Sequence, residues 1–341
     1  MKNRPLKFVL ELFVPVIVVI LYYVIADPYK IIWHYDAFFP EVGTSFVGLD
    51  HDYVSVTTFD NYNDSLHYNS FIFGNSRSRY YQVEDWKKHL DSNAVCYHMD
   101  ASNETLEGVY LKLKYVSERA PIDNCLIVLD TYILAETKTS RDKLIFFPAP
   151  QTTPENDYFK FLVSGFKSFI SPKFFYSYTK LLLFGQVSKG AAEEEVFDVA
   201  TRHYDYRWNE TTWPEKEKAI ANDSYYQGKV MDYFKKRPDT LVYAQRCIFD
   251  EQEVLIKNIA SILLSSKANY KIIISPGYDQ LKLSKDDYEV LCALFGSDNI
   301  YDFTGKNDLT EDYHNFYDIS HYRPHISAVI LDLVYNEKVE I

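Results

Sequence analysis

The sequence predicts an α/β protein: a flavodoxin-like three-layer α/β/α sandwich on a five-stranded parallel sheet, with a helical insertion and an N-terminal transmembrane helix. Three observations predict it. Short apolar runs alternate with amphipathic helical segments from Ser70 onward, the pattern of a parallel sheet crossed over by helices. The alternation stops between about Thr131 and Arg246 and then resumes, and a gap of that size is an insertion rather than an ordinary connection. Ahead of both lies the nearly unbroken apolar run Phe8–Ala26, preceded by Lys2, Arg4 and Lys7.

The apolar run approaches the ~20 residues that a bilayer-spanning helix needs, with Glu11 and Pro15 as interruptions in its first half. Basic residues in front of it place the N-terminus in the cytoplasm and the rest of the chain outside. Residues 1–7 then read as a cytoplasmic tail and 8–26 as a single-pass anchor in the cell membrane. A cleaved signal peptide competes, because Val24-Ile25-Ala26 ends in a small residue, but the run exceeds the usual signal core of about 7–15 residues. A buried soluble helix is the third reading and gives the basic flank no role. Residues 27–69 are polar and aromatic, with turn signals at Asp27-Pro28 and Phe39-Pro40. They read as a membrane-proximal connector with a short strand near Tyr53–Phe59.

The main domain is expected over 70–341. Its first strand is Ser70–Phe73, followed by a short helix Val83–Leu90 and a second strand Ala94–His98. The helix Glu104–Arg119 is apolar at Leu106, Val109, Tyr110, Leu113 and Val116, one face at helical spacing. Cys125–Leu129 is the clearest strand, five apolar residues between Asn124 and Asp130. The insertion, 135–246, reads as helical around Asp157–Phe169 and Pro172–Phe184, with an acidic patch at Glu193–Glu195 and a polar Trp/Tyr stretch at Tyr204–Trp213. No strong strand is expected in it, and it would serve as a lid or substrate platform. The rhythm resumes with the helix Glu251–Ser266, the strand Tyr270–Ser275, the helix Lys285–Phe295, a short strand Asn299–Phe303 and a final helix His325–Tyr335. Strand order 2-1-3-4-5 is the simplest arrangement for such a chain.

Composition narrows the function classes. The chain has 341 residues, 47% hydrophobic and 25% charged, which is ordinary for a folded protein. A net charge of −12 without a dense basic stripe disfavours nucleic acid. Thirty tyrosines and 23 phenylalanines serve core packing first, with sugar-stacking surfaces as the alternative use. Cys96, Cys125, Cys247 and Cys292 are too far apart for a structural zinc site, and read as free thiols unless the compartment is oxidising. Asn-x-Ser/Thr triplets at Asn63, Asn103, Asn209 and Asn222 are compatible with an outward-facing domain.

Two short motifs carry chemistry. Gly74-Asn75-Ser76-Arg77 follows the first strand, where an open α/β sheet delivers groups to its carboxyl edge. Alone, it is most simply a polar turn. Far down the chain stands Tyr317-Asp318-Ile319-Ser320-His321, after the last strand. In the expected order both strand ends open on the same edge, so Ser76, His321 and Asp318 can converge as nucleophile, base and orienting carboxylate. The bland reading has Asp318 and Ser320 capping the last helix. His314, Asp318, His321 and His325 match no zinc spacing, and no metal or cofactor is expected.

In these residues the chain resembles the SGNH/GDSL hydrolase superfamily, in its membrane-anchored branch that modifies envelope polysaccharide and teichoic acid. The resemblance covers about 70–118, 125–134 and 251 to the end, leaving the insertion outside it. It implies an acyl-serine mechanism with Ser76, His321 and Asp318 in the three roles. An oxyanion donor is implied in the turn Asp100-Ala101-Ser102-Asn103, from Ser102 or Asn103, although the usual glycine is missing. Where the family offers Asn after the third strand, this chain has Asp130-Thr131-Tyr132. A carboxylate donates no hydrogen bond, so Arg77 becomes the substitute donor, with Asp130 and Tyr132 as further substrate-side candidates. The expected function is a serine esterase or O-acyltransferase acting on extracytoplasmic polysaccharide or glycolipid, served in the transfer case by a membrane acyl-donor protein. The alternative is an impaired SGNH-like module that binds glycan or an envelope assembly partner.

Overall fold

A computed structural model describes residues 4–141, 143–153, 157–187 and 197–336. The acidic patch Glu193–Glu195 and Lys2 of the basic flank lie outside these. Five parallel strands form the central sheet: β1 (Ser70–Gly74), β2 (Cys96–Asp100), β3 (Asn124–Leu129), β4 (Asn269–Ile274) and β5 (Ile300–Asp302). Their order across the sheet is β2-β1-β3-β4-β5, the order expected from the sequence. Side chains alternate between the two faces as the period of a strand requires. Phe71, Phe73, Ile127, Ile272 and Ile274 face a core shared with the helices Leu106–Ser117 and Asp250–Ser266. Ile72, Leu126, Val128 and Ile273 face the opposite core, built with Trp86 and the helix Pro324–Asn336. Helices therefore cover both faces, and the strands are almost wholly buried, as parallel strands are.

The carboxyl ends of β1, β2 and β3 come level, with Gly74 opposite both Asp100 and Val128. This sets the floor on which the loops after each strand meet. β2 would otherwise be an open edge, but the insertion closes it: the His98 N–H donates to the Trp208 carbonyl at 3.0 Å, and Asn209 Nδ2 donates back to the His98 carbonyl at 2.8 Å. Asn209 is buried in that contact, so its triplet is a structural element rather than an accessible surface site.

Two expectations are corrected. The short strand read near Tyr53–Phe59 is helix, Ser55 and Thr58 included, within His51–Leu66. Its β-branched and aromatic residues favour strand locally, but tertiary burial overrides that preference. Asp50 caps the helix by accepting from the Asp52 N–H at 3.0 Å, while Val56 and Phe59 pack onto the sheet. The insertion is also not purely helical. Its helices Tyr158–Phe169 and Pro172–Phe184 are present, but Arg202–Asp205 and Glu210–Thr212 form an antiparallel pair that Val42–Gly43 extends.

The insertion divides into two parts by what each touches. The helices Tyr158–Phe169 and Pro172–Phe184 pack with Tyr23, Tyr29 and Phe38 into a separate aromatic core. Gly165 permits that approach, since a Cβ there would lie 2.4 Å from the Tyr23 hydroxyl. Tyr204 still packs in that aromatic core, and from Trp208 on the later part lies against the edge of the sheet and the loops beside it. The segment read as an anchor is one helix, Arg4–Ala26, in which Phe13, Val16, Ile17, Ile20 and Leu21 are exposed. Among the described residues no helix is long and apolar enough to cross a membrane.

Candidate active site

β1 ends at Gly74, whose φ of +151° and whose place 2.6 Å (measured from an added Cβ) from the Val128 carbonyl oxygen exclude any side chain. The chain then turns. Asn75 Oδ1 accepts from the Arg77 N–H at 3.0 Å, and the Asn75 carbonyl accepts from the N–H and the hydroxyl of Ser78 at 2.9 and 2.7 Å. This tight loop leaves Ser76 half-buried at the sheet edge.

The opposite wall is the loop 316–322, closed by a bridge between Phe316 and Tyr322 and by the Tyr317 N–H donating to the His321 carbonyl at 2.8 Å. It presents His321 to Ser76 with Nε2 2.7 Å from Oγ, while both Asp318 oxygens lie 2.9 Å from Nδ1. Ser76, His321 and Asp318 are thus brought together as the sequence predicted. Asp318 does not cap the final helix, which begins at Pro324.

Burial pulls the Asp318 carboxyl upward, but the hydrogen bond and charge of His321, with the N–H groups of Ser320 and His321, hold it below the ordinary carboxylate range. An ionised Asp318 selects the tautomer with the proton on Nδ1. The Nε2 lone pair is then left facing the serine hydroxyl.

Arg77 and Asp130 meet, but in another role than oxyanion donor. Arg77 donates from one Nη to Asp130 Oδ2 at 2.5 Å and from Nε to the Ser320 carbonyl at 2.7 Å. Asp130 Oδ2 also accepts from Asn75 Nδ2 at 2.6 Å, and Oδ1 accepts from the Ile133 N–H at 2.9 Å. One carboxylate therefore holds both the residue before the nucleophile and the residue after it. The guanidinium in turn ties that loop to the loop carrying His321. These groups position the triad.

The turn after β2 lies beside the nucleophile loop, because the Ala101 N–H donates to the Gly74 carbonyl at 3.2 Å. The Ser102 hydroxyl accepts from Arg79 at 3.2 Å, and Arg79 also pairs with Asp100. Asn103 is exposed with φ +50°, and Tyr132 is exposed on the helix that Asp130 caps. Among the described residues, no hydrogen bond occupies the backbone N–H of Ser76 or of Ser102.

Sequence reasoning gave the insertion the role of a lid or substrate platform and missed that it braces the loop 316–322. The Tyr80 ring stands 5.9 Å from the His321 ring and packs on Trp213 at 5.4 Å and Tyr317 at 5.5 Å. Glu217 binds Arg323 and the Tyr317 hydroxyl, and Tyr225 donates to the Tyr317 carbonyl at 3.1 Å. Together these brace the loop that carries Asp318 and His321. The only hint in the sequence was the Trp/Tyr-rich composition of 204–213.

A pocket of about 490 Å³ opens on the insertion's strand pair, lined by Glu41, His203, Tyr206 and Glu210 among others, and no triad residue reaches it. Among the described residues no group of His, Cys, Asp and Glu side chains is arranged to hold a metal ion. No protein-family model matches this sequence, and no curated protein matches it.

Proposed function

We propose that this chain is an SGNH-like serine esterase or O-acyltransferase that works through an acyl-serine on polysaccharide or glycolipid. The observation that carries the reading is the continuous relay from Ser76 Oγ to His321 Nε2 at 2.7 Å and from His321 Nδ1 to Asp318 at 2.9 Å. Its position supports the reading too, at the carboxyl edge of a sheet ordered as in a flavodoxin-like three-layer sandwich.

The chemistry derives from the geometry. His321 Nε2 takes the Ser76 proton as Oγ attacks the ester carbonyl, and Asp318 stabilises the imidazolium that forms. The oxyanion is met by the unoccupied N–H groups of Ser76 and Ser102, which need no carboxamide from position 130. Collapse of the intermediate expels the alcohol, which receives its proton from His321. Water or an acceptor hydroxyl then repeats the steps in reverse on the acyl-serine, regenerating Ser76.

A fluorophosphonate probe tests this on the purified chain. Labelling confined to Ser76, lost in Ser76→Ala and in His321→Ala, is the expected result. A folded protein that stays unlabelled but still binds glycan would belong to a non-catalytic module, and the enzyme reading would be abandoned.

We propose also that the helix Arg4–Ala26 holds the protein at the cell membrane, with the main domain outside the cytoplasm. Its support is the exposure of Phe13, Val16, Ile17, Ile20 and Leu21 behind a basic N-terminal flank. The full chain should remain with membranes through alkaline carbonate washing. Its recovery in the wash would sink this attachment.

A further inference from the structure

Lys216 stands in the wall of the site with no carboxylate among the described residues paired to it, Asp318 acting on it only through its charge. It lies in the first turns of the helix Pro214–Ala221 and is half-buried. Its Nζ sits 5.4 Å from the centroid of the Trp213 ring and 5.1 Å from that of Tyr317. Trp213 packs on Tyr80, which borders His321, and Tyr317 directly precedes Asp318. Among the described residues Lys216 makes no hydrogen bond and no ion pair.

The neighbouring carboxylates are already engaged. Glu217 is held by Arg323 and Tyr317, and Asp318 by His321 and two backbone N–H groups. The strand Arg202–Asp205 packs against the same helix, and Arg202 adds a second positive charge close enough to be felt at Lys216. Arg202 is itself buried, with its Nε unpartnered although another of its nitrogens pairs with Asp198.

An ammonium drawn partly out of water is costly unless paired, and two aromatic faces compensate only in part. Burial accordingly lowers the Lys216 pKa, with Asp318 opposing the shift. The bland account is a lysine stem lying on aromatic rings with its head in water. That account leaves unexplained why the buried Arg202, whose Nε has no partner, adds its positive charge at Lys216.

We propose that Lys216 binds an anionic group, a phosphate or a carboxylate, on the substrate whose ester or hydroxyl reacts at Ser76. The inference rests on the esterase or acyltransferase reading, which it narrows to anionic glycans or glycolipids. Trp213 and Tyr317 offer apolar faces for the sugar or glycerol framework beside that charge.

The test uses the full chain and three acetyl esters: O-acetylgalactose, O-acetylgalacturonate and acetylglycerol phosphate. Wild type is expected to favour one or both anionic esters, with a KM that rises with salt. Lys216→Gln should raise KM for the anionic esters by about ten-fold or more, the loss expected when a charge-assisted hydrogen bond is removed. Its kcat, and both constants for O-acetylgalactose, should stay near wild type, and Lys216→Arg should keep most of the preference. Which anionic ester responds distinguishes phosphate from carboxylate. Equal impairment on all three esters, or no anion preference in wild type, overturns the proposal.

Glycerol phosphate and galacturonate binding to Ser76→Ala, measured by calorimetry with and without Lys216→Gln, separates the two hypotheses. Lys216-dependent binding of either ligand in a chain that never labels with fluorophosphonate retains the anion site and rejects the esterase. Labelling at Ser76 with binding indifferent to Lys216 does the reverse.

Discussion

Asp318 and Glu104 are both carboxylates drawn out of water beside a single cationic or protonatable partner, yet their surroundings move them in opposite directions. Asp318 sits in the loop 316–322 with hydrogen bonds from His321 and from the Ser320 and His321 N–H groups, and these outweigh burial. Glu104 sits beneath the helix Leu106–Ser117 with Lys112, Asp52 and Asp50 close by, all of them buried. Lys112 pairs with Glu104 and lies 3.4 Å from Asp52, so one ammonium serves two carboxyl groups. Burial pushes the Glu104 carboxyl up to about 7 in spite of Lys112, and Asp50 is raised by burial and then by Asp52.

A search for displaced titration alone would choose the Lys112 cluster as the functional site. Its members are buried away from solvent, and its charges are outnumbered rather than matched. At the triad each carboxylate oxygen is answered by a donor, and the last atom in the relay is a half-buried hydroxyl. The proposed site is thus the one whose carboxylate is matched by completed hydrogen bonds, and the larger perturbation belongs to the buried Lys112 cluster.

The largest separation of the two clusters comes from Ser76→Ala or His321→Ala. Each should lower turnover by roughly 10⁴-fold or more, as removal of a member of such a triad does. Thermal stability should change little, because Ser76 is half-buried and the loop's own hydrogen bonds come from Asn75 and Ser78. Turnover that survives in both variants would return Ser76 to the status of a turn residue.

A smaller effect isolates the clamp. Asp130→Asn supplies the residue that the SGNH resemblance implies at this position, so an oxyanion-hole account predicts faster turnover. The structure argues for slower turnover, by about 10- to 100-fold on the scale of lost positioning. Asn at this position loses the charge that Arg77 pairs with. It also sets an N–H₂ either against the donors of both Asn75 and Arg77 or, in the flipped amide, against the Ile133 N–H. Steady-state kinetics on one ester decide the matter, and a gain in kcat would show that Asp130 impairs catalysis.

How much of this was legible in the sequence differs by region for physical reasons. The sheet was readable because β1 and β3 are short apolar runs buried on both faces, and β4 ends in the buried run Ile272–Ile274. Ser76, Asp318 and His321 were readable because strand order alone carries two loops to one edge. The helix His51–Leu66 was not, since Val54, Val56, Thr57 and Thr58 favour strand and only the packing of Val56 and Phe59 decides otherwise. The role of Arg77 depends on Ser320, and those of Trp213, Lys216 and Glu217 on the loop 316–322. No local spacing encodes such distant pairings.

The smallest predicted effect tests the structural cluster directly and has a definite sign. A carboxyl whose folded pKa lies above its unfolded value contributes most at low pH, and loses that contribution as pH rises through the folded value. Glu104, at about 7 against an ordinary value near 4, should therefore make the protein less stable at pH 8 than at pH 5. Asp50 and Asp52 act in the same direction. Asp318 and Glu217, both held below the ordinary carboxylate range by their hydrogen bonds, act oppositely, and only as pH falls through that range. Within the window from pH 5 to 8 His51 and His325, both held below the ordinary imidazole value by burial, act against the Lys112 cluster, so its share is read from the difference between Glu104→Gln and wild type. Glu104→Gln keeps an oxygen for the Thr105 N–H, which donates to Glu104 at 2.9 Å, and removes the titration. It should flatten the decline by on the order of 1–2 kcal/mol, read as a melting temperature that varies by a few degrees less across the window. Esterase turnover at fixed pH should be unchanged, because Glu104 touches neither triad loop. A pH slope identical to wild type would place the responsible proton elsewhere, and lost turnover would join the two clusters into one functional unit.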